Sequence, residues 1–148
     1  MSNETISIIF QSITLLAVFA AVWQLFLRST AMHRGMEMAF VQRYWQIMDR
    51  RSPGLVIDGK PTPEDELIIL QYLRLCEDEF DHRRLGKLPR QTWDSWRDAM
   101  REQLSDPHFA DVLHKTAPHY PGVRQVMAGA LDLDPHPRSL LVQFWQGN

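Results

Sequence analysis

The sequence predicts an all-α protein, one N-terminal transmembrane helix followed by a cytoplasmic bundle of about five helices. Three observations carry this. Residues 6–27, ISIIFQSITLLAVFAAVWQLFL, hold no ionisable side chain, and about 20 apolar residues are what a helix needs to cross the hydrocarbon core. Downstream, apolar residues recur three and four apart in segments punctuated by Pro and Gly, the pattern of amphipathic helices with marked ends. No alternating run of strand length interrupts them, and only Gly54-Leu55-Val56-Ile57 and Leu140-Leu141-Val142 are short β-capable stretches.

The order along the chain follows from these signals. Residues 1–5 form a short external N-terminus and residues 6–27 the span. A cleaved signal peptide is disfavoured, because it needs a basic segment before the apolar run and MSNET has neither Lys nor Arg. Arg28, Arg34 and Arg43 follow the run closely with no basic residue before it, so the positive-inside rule places the downstream domain in the cytoplasm and the protein in a bacterial inner membrane. Trp23, Arg28 and Arg34 are the expected interface anchors, the indole among headgroups and the guanidinium groups beyond them. Ser7, Gln11, Thr14 and Ala21 fall on one stripe of the helix, where small and polar side chains favour contact with another membrane protein or with a second copy.

Residues 28–50 are expected to form a juxtamembrane helix with Met36, Phe40, Tyr44, Ile47 and Met48 on one face. The Pro- and Gly-rich residues 51–63 read as a loop. Thr62 as N-cap, Pro63 in the first turn and Glu64, Asp65 and Glu66 at the positive dipole end then begin a helix. That helix runs to about Leu85, stops at Gly86, and turns Ile69, Leu73, Cys76 and Phe80 inward with a charged face opposite. A helix over residues 90–104 aligns Trp93, Trp96, Met100 and Leu104, with full burial expected for Trp96. Asp106-Pro107 begins a short helix with Phe109, Val112 and Leu113 inward, and Pro121 another with Val123, Val126, Met127 and Ala130. The bundle thus covers residues 64–134. Residues 135–148 make a C-terminal strap or tail in which Phe144 and Trp145 are the contact residues, since left bare they would be an aggregation liability.

Composition narrows the function. After the span, about 120 residues remain, enough for one domain with a core of its own. Cys76 is the only cysteine, so no disulfide framework exists and a reducing compartment is implied. A net charge of −2 without an aromatic-basic stripe speaks against nucleic acid as a partner.

Between Glu77 and Phe109 the chain reads EDEFDHRRLGKLPRQTWDSWRDAMREQLSDPHF. An acidic helix, a Leu-Gly turn, a W-x-x-W helix and a proline-started helix behind one N-terminal span resemble small uncharacterised bacterial or phage proteins that pair a transmembrane helix with a cytoplasmic helical domain. The resemblance covers under half of the cytoplasmic part. It implies a helical fold and brings no catalytic residues.

Chemistry-bearing motifs are few. Glu79-Phe80-Asp81-His82 is an E-x-x-H of the kind used in di-metal carboxylate bundles, with Asp111-x-x-His114 as its nearest match. The helical wheel puts Glu79 at the edge of the core face and His82 on the polar side, so no metal site is expected. The six histidines lack metal-ligand spacing, and there is no P-loop, G-x-G-x-x-G or G-x-S-x-G. No cofactor, catalytic residue or small-molecule substrate is indicated. The expected function is a non-enzymatic accessory or scaffold protein whose partners are the lipid bilayer and another membrane protein or itself. The alternatives are a membrane-acting effector of the phage-exclusion or defence type that clusters through its span and, more remotely, a metal-dependent helical enzyme.

Overall fold

The structure, a computed structural model, describes residues 3–129 and 134–136; within them the side chains of residues 3–10, 26, 29–32 and 58 fall outside the description. The regular elements among the described residues are all helices, with no strand. The elements are α1 (Asn3–Met48), α2 (Pro53–Asp58), α3 (Pro63–Arg84), α4 (Arg90–Leu104), α5 (Pro107–Thr116), a 3-10 turn (Ala117–His119) and α6 (Pro121–Ala128). The chain divides into two compact units, Met1–Gly35 and Met36–Asn148.

In the first unit Ile13, Leu15, Leu16, Val18, Phe19, Val22, Trp23, Leu25 and Leu27 are each more than half exposed. At 100° per residue these positions cover about two-thirds of the helix circumference, and Thr14, Ala17, Ala21 and Gln24 occupy the remaining third. Among the described residues no helix is long and apolar enough to cross a membrane. The predicted span begins at Ile6, where side chains lie outside the description. The all-α class therefore stands, whereas the transmembrane part is not found among the described residues.

The second unit has one core. Phe40, Ile47 and Met48 of α1 are buried in it, with Met36 and Tyr44 packed at its edge, the face the periodicity predicts. From α3 come Ile68, Ile69, Tyr72, Leu73, Leu75, Cys76 and Phe80; α4 adds Trp93, Met100 and Leu104, α5 adds Phe109, Val112 and Leu113, and α6 adds Val123 and Val126. Ala130 lies outside the described residues. Of the two tryptophans in W-x-x-W, Trp93 is fully buried and Trp96 only half-buried against Phe40, so the expected burial belongs to the first and not the second.

Helix α6 sits close against α3. A β-carbon at Gly122 would lie 2.5 Å from Phe80 Cδ1, so only glycine allows this approach. The Glu77 carboxylate of α3 accepts from the amides of Gly122 (2.8 Å) and Val123 (2.9 Å), satisfying donors that the first turn of α6 leaves open.

Residues 51–63, expected to be a loop, contain α2. Pro53 is a start signal here rather than a breaker, since its fixed φ suits the first turn. The Ser52 hydroxyl accepts from Leu55 N at 3.1 Å, and Gly59 closes the helix at φ 61°. The β-capable Gly54-to-Ile57 stretch is thus helical, and its counterpart at residues 140–142 lies outside the described residues.

Beside its apolar stripe α3 also buries three charged residues, Asp65, Glu79 and Arg83, while Gln71 and Arg74 on the opposite face are exposed. Asp65 accepts from Ser52 N (2.8 Å), Ser52 Oγ (2.6 Å), Thr62 N (2.7 Å) and Thr62 Oγ1 (2.8 Å), tying both ends of the α2 segment to the start of α3. Burial alone would raise this carboxyl, but the hydrogen bonds from Ser52 and Thr62 outweigh it and hold the group below the usual carboxylate range. A depressed folded-state pKa contributes stability above the unfolded value, lost as the pH falls through the folded one. Asp65→Asn is therefore expected to cost about 1–3 kcal/mol at pH 7. Urea titrations should show that cost narrowing below about pH 4. An undiminished difference at pH 3 would mean that shape, not charge, governs the site.

Candidate functional site

The second unit contains a groove of about 290 Å³ where α1, α3 and α4 meet. Helical spacing builds it. Phe40, Val41, Tyr44 and Trp45 share one side of α1, Tyr72 and Glu79 stand two turns apart on α3, and Trp96, Ala99 and Met100 come from α4. The rings brace one another edge to face, Phe40 with Trp96 at 5.6 Å, Tyr44 with Trp45 at 5.2 Å and Tyr44 with Tyr72 at 6.1 Å between centroids. Trp45 is nonetheless 56% exposed, so the aromatic wall reaches the surface.

Glu79 is the one carboxyl in this lining. It is 9% exposed and accepts no hydrogen bond from the described residues, and Arg43, the cation that acts on it, is engaged at 2.8 Å by Asp78. Burial, reinforced by the Asp78 charge and only partly opposed by Arg43, pushes the Glu79 carboxyl up to about 8. Burial likewise raises the Tyr72 hydroxyl and the Cys76 thiol, leaving the thiol protonated and a poor nucleophile. The arrangement is suited to holding a ligand rather than attacking one.

Comparison with known protein families, curated proteins and solved structures yields no match. The site is therefore read from its own geometry. Of the E-x-x-H motif, Glu79 stands at the edge of the core face and is buried there. His82 is half-buried, its ring edge-on to Phe40 at 5.1 Å and its Nδ1 2.7 Å from Asp78 O. In the other motif, Asp111 pairs with Lys115 at 2.6 Å and His114 is exposed. Among the described residues no three His, Cys, Asp or Glu side chains group in a way that could hold a metal.

The residues expected from sequence to make contacts lie elsewhere. Gln11, Thr14, Ala21, Trp23, Arg28 and Arg34 belong to the first unit and are exposed, while the groove is built wholly from the second. The Ser7 side chain, Phe144 and Trp145 lie outside the described residues. Sequence reasoning missed the groove because its rings read as core. The available signal was Tyr72 and Glu79 at i and i+7, which places a carboxyl on the same strip of α3 as an aromatic ring.

Proposed function

We propose that the chain is a membrane-anchored, non-enzymatic accessory protein that presents its helical unit at the cytoplasmic face of the inner membrane, within a larger membrane complex or homo-oligomer. The observation that carries this is the 6–27 run without an ionisable residue, whose large apolar side chains from Ile13 onward are exposed over about two-thirds of the helix circumference. Such a surface is stable in lipid and a liability in water. Gln11, Thr14 and Ala21, with Ser7 a turn before them, supply the small and polar positions through which one span contacts another. The separation into an N-terminal helical unit and a packed second unit fits an anchor joined to a module. A binding groove lined by rings and one acid, without an activated nucleophile among the described residues, favours a binding role over turnover.

The test is topology. With a reporter fused after Asn148, only a fusion partner that works in the cytoplasm should be active, and the protein should stay in the membrane pellet through alkaline carbonate extraction. Reporter activity on the outer face would reverse the orientation, and complete release by carbonate would remove the anchor.

A further inference from the structure

We infer that the groove between α1, α3 and α4 is a binding site for a small organic cation, an alkyl- or quaternary ammonium, with the rings as its wall and the Glu79 carboxylate as counter-ion. This goes beyond the anchoring role and can fail without affecting it. Aromatic walls alone would accept any apolar molecule of the right size, so the acid decides the chemistry. An acid in apolar surroundings meets its desolvation cost by staying protonated. Glu79 is nine-tenths buried in the lining, accepts no hydrogen bond from the described residues, and its carboxyl oxygens still reach the groove. A ligand ammonium that takes the place of the proton turns this acid into a counter-ion.

The rings favour the same class. Phe40, Tyr44, Trp45, Tyr72 and Trp96 all contribute to the lining, and ring quadrupoles attract a cation even at a site that water reaches. A small inorganic cation is disfavoured, since it needs several oxygen ligands and the lining offers one carboxylate and two phenols. Anions meet both the carboxylate and the negative ring faces. The cavity, about 290 Å³, limits the ligand to a small molecule or the tip of a larger one.

Proton linkage makes the idea measurable. The groups around Glu79 are Asp78, Tyr72, Cys76 and His82 on its own helix and Arg43 and Tyr44 on α1; α4 brings only Trp96, Ala99 and Met100 to the lining. Burial, with Asp78 adding to it and Arg43 opposing it, keeps the acid protonated up to about pH 8. A permanently charged ligand must then displace that proton to bind below this pH, so its affinity should rise about tenfold per pH unit up to neutrality and level off above pH 8.

The full chain in detergent would be titrated with choline and with its uncharged carbon isostere, dimethylbutanol, from pH 6 to 9 by calorimetry and tryptophan fluorescence. Choline is expected to bind at least tenfold more tightly than the isostere at pH 8.5, with the pH dependence just given. Glu79→Gln should lose that preference and the pH dependence together. Trp45→Ala, at an exposed position, should weaken choline severalfold without loss of fold. Equal affinity for the isostere, a flat pH profile or no saturable choline binding at any pH overturns the assignment. Should Glu79→Gln fail to fold, the wild-type pH profile and the choline-to-isostere ratio decide.

Discussion

Trp93→Ala should lower the unfolding free energy by about 3–5 kcal/mol, and Trp96→Ala, three residues on, by less than half as much. Both indoles lie on the inward stripe of α4, but only Trp93 is completely buried, its ring edge-to-face with Phe80 at 6.0 Å and 72°. Removing it leaves a cavity that the surrounding helices can only partly refill, and the cost of a buried truncation includes that void. Trp96 instead packs on one side against Phe40 and lines the groove, so its loss opens a cleft that water already reaches. Urea unfolding of both variants monitored by circular dichroism gives the comparison directly. A larger loss at Trp96 would mean that the groove is closed in solution.

Asp134→Ala is expected to cost about 3–5 kcal/mol, the effect of stranding a buried charge. Arg83 donates to Asp134 through Nε (2.8 Å) and Nη2 (2.6 Å) and to Leu88 O through Nη1 (2.6 Å). The two side chains are 2% and 7% exposed. Without the carboxylate the guanidinium keeps one carbonyl and, among the described residues, no ion-pair partner. Burial raises the Asp134 carboxyl, but the Arg83 hydrogen bond and charge and the His136 amide prevail and lower it, so the pair's contribution is complete above the ordinary carboxylate pKa and fades as acid titrates it. Replacing both residues, Arg83→Met with Asp134→Leu, should recover much of the loss, because two matched apolar groups carry no desolvation debt. A double-mutant cycle by denaturant titration would show the recovery, and a double variant as unstable as Asp134→Ala would place the importance of the site in its shape.

The contrast between these two sites shows what was legible in the sequence. Local periodicity finds which face of a helix turns inward, and punctuation finds where it stops. The ends of α4 and the Asp106, Pro107 and Pro121 starts were readable for that reason, as was Thr62 before α3. Misreadings arose where one signal had two meanings. Ser52-Pro53-Gly54 looked like a loop although Ser-Pro also opens a helix, and W-x-x-W offered two equivalent indoles whose burial only the neighbouring helices distinguish. Interactions across distance left no trace at all. Arg83 and Asp134 are 51 positions apart, and nothing local to either one points to the other. Glu79 read only as an acid at the edge of the core face, and its burial depends on α1 and α4 packing around it.

The contact of Gly122 with Phe80 bears on the order in which the protein assembles. The carboxylate that meets the first amides of α6 lies 45 residues upstream, on Glu77. An eight-residue helix is too short to persist by itself in water. Its backbone donors find this partner only after the intervening chain has closed a long loop, whose entropy must be spent before the contact returns anything. Among the described residues the final helix therefore depends on the third for the partners of its first-turn donors, a contact that is non-local in sequence.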